Sequence, residues 1–429
     1  MSIPFWALIP FAVQLIAIAL VPVFWGKFWE RNRNKMLISI VLSIPVFVFM
    51  FANQMGGAIW NQILFDYFPF IILLCALFVI TGGIFIGGDF VARPSVNTAF
   101  LAIGYILASF MGTTGAAILL IRPLLNANRQ RKHKTHTILF FIAAVANCGG
   151  LLTPLGDPPL FLLHLRGANF SWFLQLFPQW LFAGAMLLAI YYFIDYKYFR
   201  KESWESISAD LREKIPFHIK GNVNFLFLLG VIAAVAFINP QYFPSMNFPH
   251  TPLYIKFLRE IILIILIFLS LFLTKKTIRQ RNKFTWQPII EVAVIFFSIF
   301  VTITPVLLFL NYNAQNFAMT KPWHFYYATG TLSAFLDNAP TALAFHSIAQ
   351  GLPSVGTNVA GISESLLKAI SVGSVFFGSM TYIGNGPNFM VKLIAEENSV
   401  KMPSFFAYIL KFSLVVLLPI YILTQLLFV

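Results

Sequence analysis

Two acidic side chains in this chain sit where acid is expensive. Asp157 lies in GLLTPLGDPPLF (residues 150–161) and Asp337 in FLDNAPTALAF (residues 335–345), each inside a long apolar segment. An aspartate at the centre of a membrane helix costs about 2.5–3.5 kcal/mol on insertion scales, so its presence there asks for a use. A desolvated carboxylate can hold a proton or a sodium ion, and the two compete for the same oxygens. That competition is the physical basis of antiport. The hydroxyls and amides that would complete a cation site with Asp157 are Thr113, Thr114, Asn147 and Thr153. With Asp337 they are Asn338, Thr341, Thr381, Asn385 and Asn388. Each aspartate has a second reading, as the cap of a half-helix N-terminus, and the two roles are compatible. Each asparagine reads equally well as an ion or substrate ligand and as a partner for unwound backbone. No catalytic residue and no cofactor is expected; Na⁺ and H⁺ are the expected cargo, with Na⁺ at Asp157 and Asp337.

No ordinary membrane helix can hold these residues. Pro154, Pro158 and Pro159 lack amide hydrogens, and Gly149, Gly150 and Gly156 loosen the backbone between them. Asp157 precedes a proline and is therefore expected to be extended. The pattern returns in GSMTYIGNGPNF (residues 378–389), where Gly150, Thr153, Gly156, Pro159 and Phe161 recur as Gly378, Thr381, Gly384, Pro387 and Phe389. Unwound backbone at bilayer depth is tolerated only inside protein or along a wet cavity. Paired interruptions in two halves of a hydrophobic chain point to a transporter's binding site.

Composition sets the class. With 59% apolar and 10% charged residues and a mean hydropathy of +0.80, the chain is not a soluble globular protein, in which roughly 25% of residues are charged. Apolar runs of roughly 18–25 residues predict helices rather than a membrane barrel. The net charge of +14 does not indicate nucleic acid, because the basic residues fall in short loops between apolar runs. Cys75 and Cys148 lie within apolar segments and read as buried small hydrophobes, not as a disulfide. No basic residue precedes the first apolar run, so residues 3–24 are expected as a first span, not a cleaved signal peptide.

Loop charge then decides topology. The loops carrying Lys27, Arg31, Arg33 and Lys35, then Arg129, Arg131, Lys132 and Lys134, then the connector at residues 196–221 and the loop at 275–283, are all basic. They share the cytoplasmic side only if residues 95–125 are a re-entrant hairpin rather than a span, and the same reading of residues 323–350 keeps Lys392 and Lys401 on that side. Length agrees: as single helices these segments would reach about 46 and 42 Å across a core of about 30 Å. Turn-forming residues sit at their middles, Gly112–Gly115 and Asp337–Pro340. The expected architecture is an all-α polytopic membrane protein of about ten to eleven transmembrane segments in two inverted repeats. Scaffold spans occupy residues 1–62, and the first repeat residues 63–195, with its hairpin at 95–125 and broken helix at 136–165. A cytoplasmic connector follows at 196–221. The second half, 222–429, has its hairpin at 323–350 and broken helix at 366–396. Both termini are expected outside the cytoplasmic membrane.

Other polar residues read more plainly. Glu291, Asp66 and Asp89 lie near span ends and read as interfacial or solvated. His164 and His346 titrate in a useful range but read as packed or interfacial. Arg122, Lys368 and Lys392 flank the interrupted segments and read as snorkelling cations.

At four motifs the chain resembles the ion transporter superfamily: FMGTTGAAILLIRPLL (110–125), NCGGLLTPLGDPPLF (147–161), FLDNAPTALAF (335–345) and TYIGNGPNFMVKLIAEE (381–397). It looks most like the branch of NhaD-type sodium/proton antiporters and citrate transporters. TPLGD and DNAPT are similar to the NhaD-type signatures, and the resemblance implies ion-binding roles for Asp157, Asp337 and Asn338. It further implies a homodimer with a mobile domain of hairpins and broken spans against a fixed scaffold. The paired Ser-Asn-Thr signatures of the dicarboxylate carriers are absent, which weighs against a carboxylate as substrate. The resulting expectation is a secondary active transporter exchanging Na⁺, and by extension Li⁺, for H⁺ by alternating access. The alternative is a carrier of citrate, a dicarboxylate or another organic anion coupled to Na⁺ or H⁺. An intramembrane enzyme is disfavoured, because HExxH, GxSxG and P-loop motifs are missing.

Overall fold

A computed structural model describes residues 3–29, 31–88, 91–205, 216–248 and 250–429. Asp89 and residues 206–215 of the polar connector fall outside these residues. Among the described residues, seven helical stretches are long and apolar enough to cross a membrane, and three shorter apolar helices accompany them. The chain is an all-α polytopic membrane protein.

The described helices begin with α1 (Ile9–Phe24) and α2 (Asn32–Ala52), followed by α3 (Phe68–Thr81), which is entered through a wide turn at Gln62–Tyr67. Two helices then meet at a single residue: α4 (Pro94–Met111) and α5 (Thr113–Ala127) are separated by Gly112, whose φ of +79° suits a residue without a Cβ. The expected four-residue turn is thus shorter, and Thr113 already opens α5. The interrupted segment follows as α6 (Thr135–Ala144), a 3-10 turn at Cys148–Leu152, and α7 (Pro158–Leu165). The first half closes with α8 (Phe177–Phe199).

The second half also holds a split helix pair followed by an interrupted helix. After α9 (Val223–Phe237), α10 (Leu258–Leu273) and the long α11 (Gln287–Tyr312) come α12 (Pro322–Phe335) and α13 (Asn338–Gln350), split at Leu336–Asp337. Then come α14 (Glu364–Phe377), a 3-10 turn at Gly378–Met380, α15 (Gly386–Glu397) and a last helical stretch, Phe405–Phe428. A proline lies in the first two positions of α4 and α12, which open the split pairs, and of α7 and α15, the second parts of the interrupted segments. Packing is crossed, with α5 against α15 and α13 against α7, so each split pair holds the other half's interrupted helix.

Several of the flanking polar side chains are paired, and Asp66 departs from its expected solvated state. Asp66 is buried and meets Arg166 at 2.6 Å, a partner a hundred residues away that local sequence does not reveal. Glu291 accepts an ion pair from the buried Lys35 at 2.5 Å. Arg122 donates to the carbonyl of Asn282 at 3.4 Å, and Lys392 pairs with Glu396 at 2.9 Å. A larger network joins Asp195, which has no solvent exposure, to Arg131 at 2.7 Å, His136 at 2.8 Å and Asn97 at 3.3 Å.

Candidate functional site

The two interrupted segments are built alike. In the first, the Thr153 hydroxyl donates to the carbonyl of Ser109, and the Ser109 hydroxyl to that of Gly149. In the second, the Thr381 hydroxyl donates to the carbonyl of Ala334, and that of Ser333 to Ser374 at 2.6 Å. Thr153 and Thr381 therefore pin unwound backbone to the tips of α4 and α12. Within the first segment the chain crosses itself: a Cβ on Gly156 would lie 2.0 Å from the carbonyl oxygen of Gly150. The free carbonyl of Gly156 then accepts from the amide of Thr113 at 2.8 Å, which ties the tip of α5 to this crossing.

Asp157 stands at the junction, 1% exposed. Its carboxylate accepts from the Thr113 hydroxyl at 2.8 Å, from Asn385 Nδ2 at 3.1 Å and from Asn338 Nδ2. Thr113 and Asn338 are the first residues of α5 and α13, one from each split pair. Asn385 occupies the position in the second interrupted segment that Asp157 occupies in the first, 228 residues earlier. A second layer completes the cluster. Asn385 Nδ2 also reaches Asn147 Oδ1 at 3.2 Å, Asn147 Nδ2 donates to Asn388 Oδ1 at 2.6 Å, and Asn388 Nδ2 donates to the carbonyls of Gly378 and Thr381 at 2.8 and 2.9 Å.

The structure thus gathers Thr113, Asn147, Asp157, Asn338, Asn385 and Asn388 into one network where the sequence suggested two sites. Asp337 lies beside it, half-buried, and its carboxylate accepts from the amide of Ala339 at 3.1 Å, capping α13. The reason is in the following residues. Asp157 precedes Pro158 and Pro159, which have no amide hydrogen to offer, so its side chain makes no capping bond and turns to the other half. Asp337 precedes Asn338 and Ala339, whose amides are available. Thr341 donates back to the carbonyl of Asp337 at 2.9 Å, a bond within its own helix. Thr114 faces a cavity of about 80 Å³ that also touches Thr113, Asp157 and Phe161 and is bordered by Phe70 of α3 and Val292 of α11. Asp157 is the one charged side chain along that cavity among the described residues. The Oδ1 of Asn338, fully buried, has no hydrogen-bond donor among the described residues.

Several residues that build the site carried no signal in the sequence. Besides Ser109 and Ser333, Tyr421 on the last helix meets Ser379 at 2.5 Å and Cys148 at 3.2 Å and so clamps both 3-10 turns. His164 and His346 are buried and bonded to the carbonyls of Ala168 and Ala360 at 2.7 and 2.9 Å.

A polytopic helical chain whose interrupted helices converge on a buried polar cluster has the build of a membrane transporter. Comparison with known proteins places it more closely: the chain belongs to the family described as "Putative citrate transport", which matches residues 1–429. It is also similar to the inner membrane protein YbiR of Escherichia coli (strain K12), 30% identical over 170 residues. That likeness covers 36% of this chain and 43% of YbiR, less than half of either. The family description carries the citrate name, not the NhaD-type antiporter name.

Proposed function

We propose that this protein is a secondary active transporter that exchanges Na⁺ for H⁺ across the cytoplasmic membrane, with Asp157 as the carboxylate that holds the two ions in turn. The observation carrying this reading is the charge of the central cluster. Its network and the adjoining cavity contain one carboxylate, several amide and hydroxyl oxygens, and no Lys or Arg among the described residues. A buried lone carboxylate must be protonated or paired with a cation. The unpaired Oδ1 of Asn338 and the hydroxyl of Thr113 supply further oxygens of the kind a hard cation takes. An organic trianion would meet repulsion here. The cavity beside Asp157, about 80 Å³, is also small against the roughly 300–1,000 Å³ of pockets that enclose organic ligands. Asp337 is assigned a supporting role: it caps α13 and adds negative charge beside the site.

The re-entrant reading of the α4–α5 and α12–α13 pairs is part of this proposal. It is supported by which loops touch. Strand Phe85–Gly87 pairs with His218–Lys220, Thr135 donates to the carbonyl of Lys401 at 3.1 Å, and Arg131 meets Asp195, so the basic segments gather together. Arg166 with Asp66, and Trp172 with Glu364 at 2.9 Å, gather the opposite ends.

A second reading, a citrate or dicarboxylate carrier, is favoured by the family description. One experiment separates them. In inverted vesicles, Na⁺ should dissipate a preformed proton gradient in the wild type, and Asp157→Asn should abolish the response at unchanged protein level. Citrate uptake without any Na⁺-driven pH change would replace the first reading with the second.

A further inference from the structure

On the other side of Phe161 from the cation site lies a second, larger cavity of about 770 Å³. Phe161 is the partition: its ring borders the small cavity beside Asp157, while its other surroundings are the Arg259 guanidinium at 5.4 Å and the His164 ring at 6.2 Å, both on the large cavity's wall. The large cavity is framed by the ends of α7, α9 and α10, and its polar lining includes Arg166, Lys256, Arg259, Glu260, Asn169 and His164. These are the helix ends opposite those that meet the basic loops.

Its chemistry is that of an anion site. Arg259 is buried and fixed by Glu260 at 2.5 Å; Arg166 is fixed by Asp66 at 2.6 Å. Two acids thus orient two guanidinium groups, and Lys256, half-buried and in no ion pair among the described residues, leaves one positive charge in excess. Donors remain unspent. Arg166 Nε is buried without an acceptor, and a buried donor left so costs about 1–3 kcal/mol unless something fills it. Planar guanidinium groups are suited to carboxylates, and the volume falls in the roughly 300–1,000 Å³ range of small-molecule pockets.

We propose that this cavity is a vestibule that binds a small soluble carboxylate anion, one aromatic ring away from Asp157 and separate from the cation site. The inference does not rest on the exchange reading, because different residues carry it.

The test is calorimetric titration of the purified full-length protein in phosphatidylcholine nanodiscs with succinate and with citrate as choline salts. Saturable binding is expected, weakened about tenfold or more in Lys256→Gln and retained within about threefold in Lys256→Arg and in Asp157→Asn. Absence of saturable binding in the wild type, or equal binding in Lys256→Gln, overturns the proposal. So does loss of binding in Asp157→Asn, which would move the anion to the central cluster, and so does displacement by phosphatidylglycerol in the nanodisc, which would make a lipid headgroup the occupant. Failure of Na⁺-driven exchange with intact anion binding would refute only the cation reading.

Discussion

Gly156→Ala tests whether the crossing of unwound backbone sets the site. The new Cβ would sit 2.0 Å from the carbonyl oxygen of Gly150 and 2.7 Å from its carbon, both backbone atoms that no rotamer can move aside. Ordinary carbon contacts lie near 3.5–4.0 Å, so the strands of the crossing must part by about 1.5 Å. Overpacking of this kind costs about 1–3 kcal/mol. The 2.8 Å bond from the Thr113 amide to the Gly156 carbonyl is then stretched past its range, at a further cost of about 0.5–1.5 kcal/mol. A total of about 1.5–4.5 kcal/mol follows, together with displacement of the neighbouring Asp157 away from Thr113. Two other glycines calibrate the result. Gly384→Ala, with a Cβ 2.6 Å from the Gly378 carbonyl, should be damaging but less so. Gly386→Ala, with nothing within 4 Å, should cost nothing and gain up to about 1 kcal/mol from helix propensity. Unfolding by SDS in mixed micelles gives the stabilities, and Na⁺-driven pH change in proteoliposomes the activities. A Gly156→Ala protein as stable and active as Gly386→Ala would refute the claim that the crossing positions the carboxylate.

Asp337→Ala removes the cap on α13 and should cost about 0.5–2 kcal/mol, whereas Asp337→Asn keeps a capping oxygen and should stay near wild-type stability in the same unfolding assay. Asn385→Ala deletes one of the donors to the Asp157 carboxylate, a bond of about 1.5–3 kcal/mol, and should raise the Na⁺ concentration for half-maximal exchange by about tenfold or more. Asp195→Ala leaves Glu202 at 3.9 Å as the remaining acid beside the buried Arg131 and should lose up to about 3–5 kcal/mol, seen as poor yield and a lowered unfolding midpoint with no change in ion preference.

The places where the helices break were legible because proline and glycine act on the backbone directly, whatever surrounds them. The likeness of residues 150–161 and 378–389 also showed which stretches should be built alike. The unequal roles of the two aspartates were legible in principle. Two prolines after Asp157 leave no amide to cap, and the amide of Ala339 after Asp337 does. That cue is chemical rather than compositional and is easily passed over. What the sequence does not carry is long-range partnership. Nothing near Asp66 names Arg166, and nothing near Ser109 or Tyr421 marks them as the clamps of the interrupted segments. Those contacts arise only once the helices have packed.

The central claim is that Na⁺ and H⁺ compete for one carboxylate, and the direct measurement is the pH dependence of exchange in proteoliposomes at several Na⁺ concentrations. Competition at a single site requires the pH of half-maximal exchange to fall by about one unit for each tenfold rise in Na⁺, since each ion must displace the other. Asp157→Asn should leave no Na⁺-dependent signal to shift. A midpoint that stays fixed as Na⁺ is varied, or an Asp157→Asn protein with the wild-type response, would contradict the account.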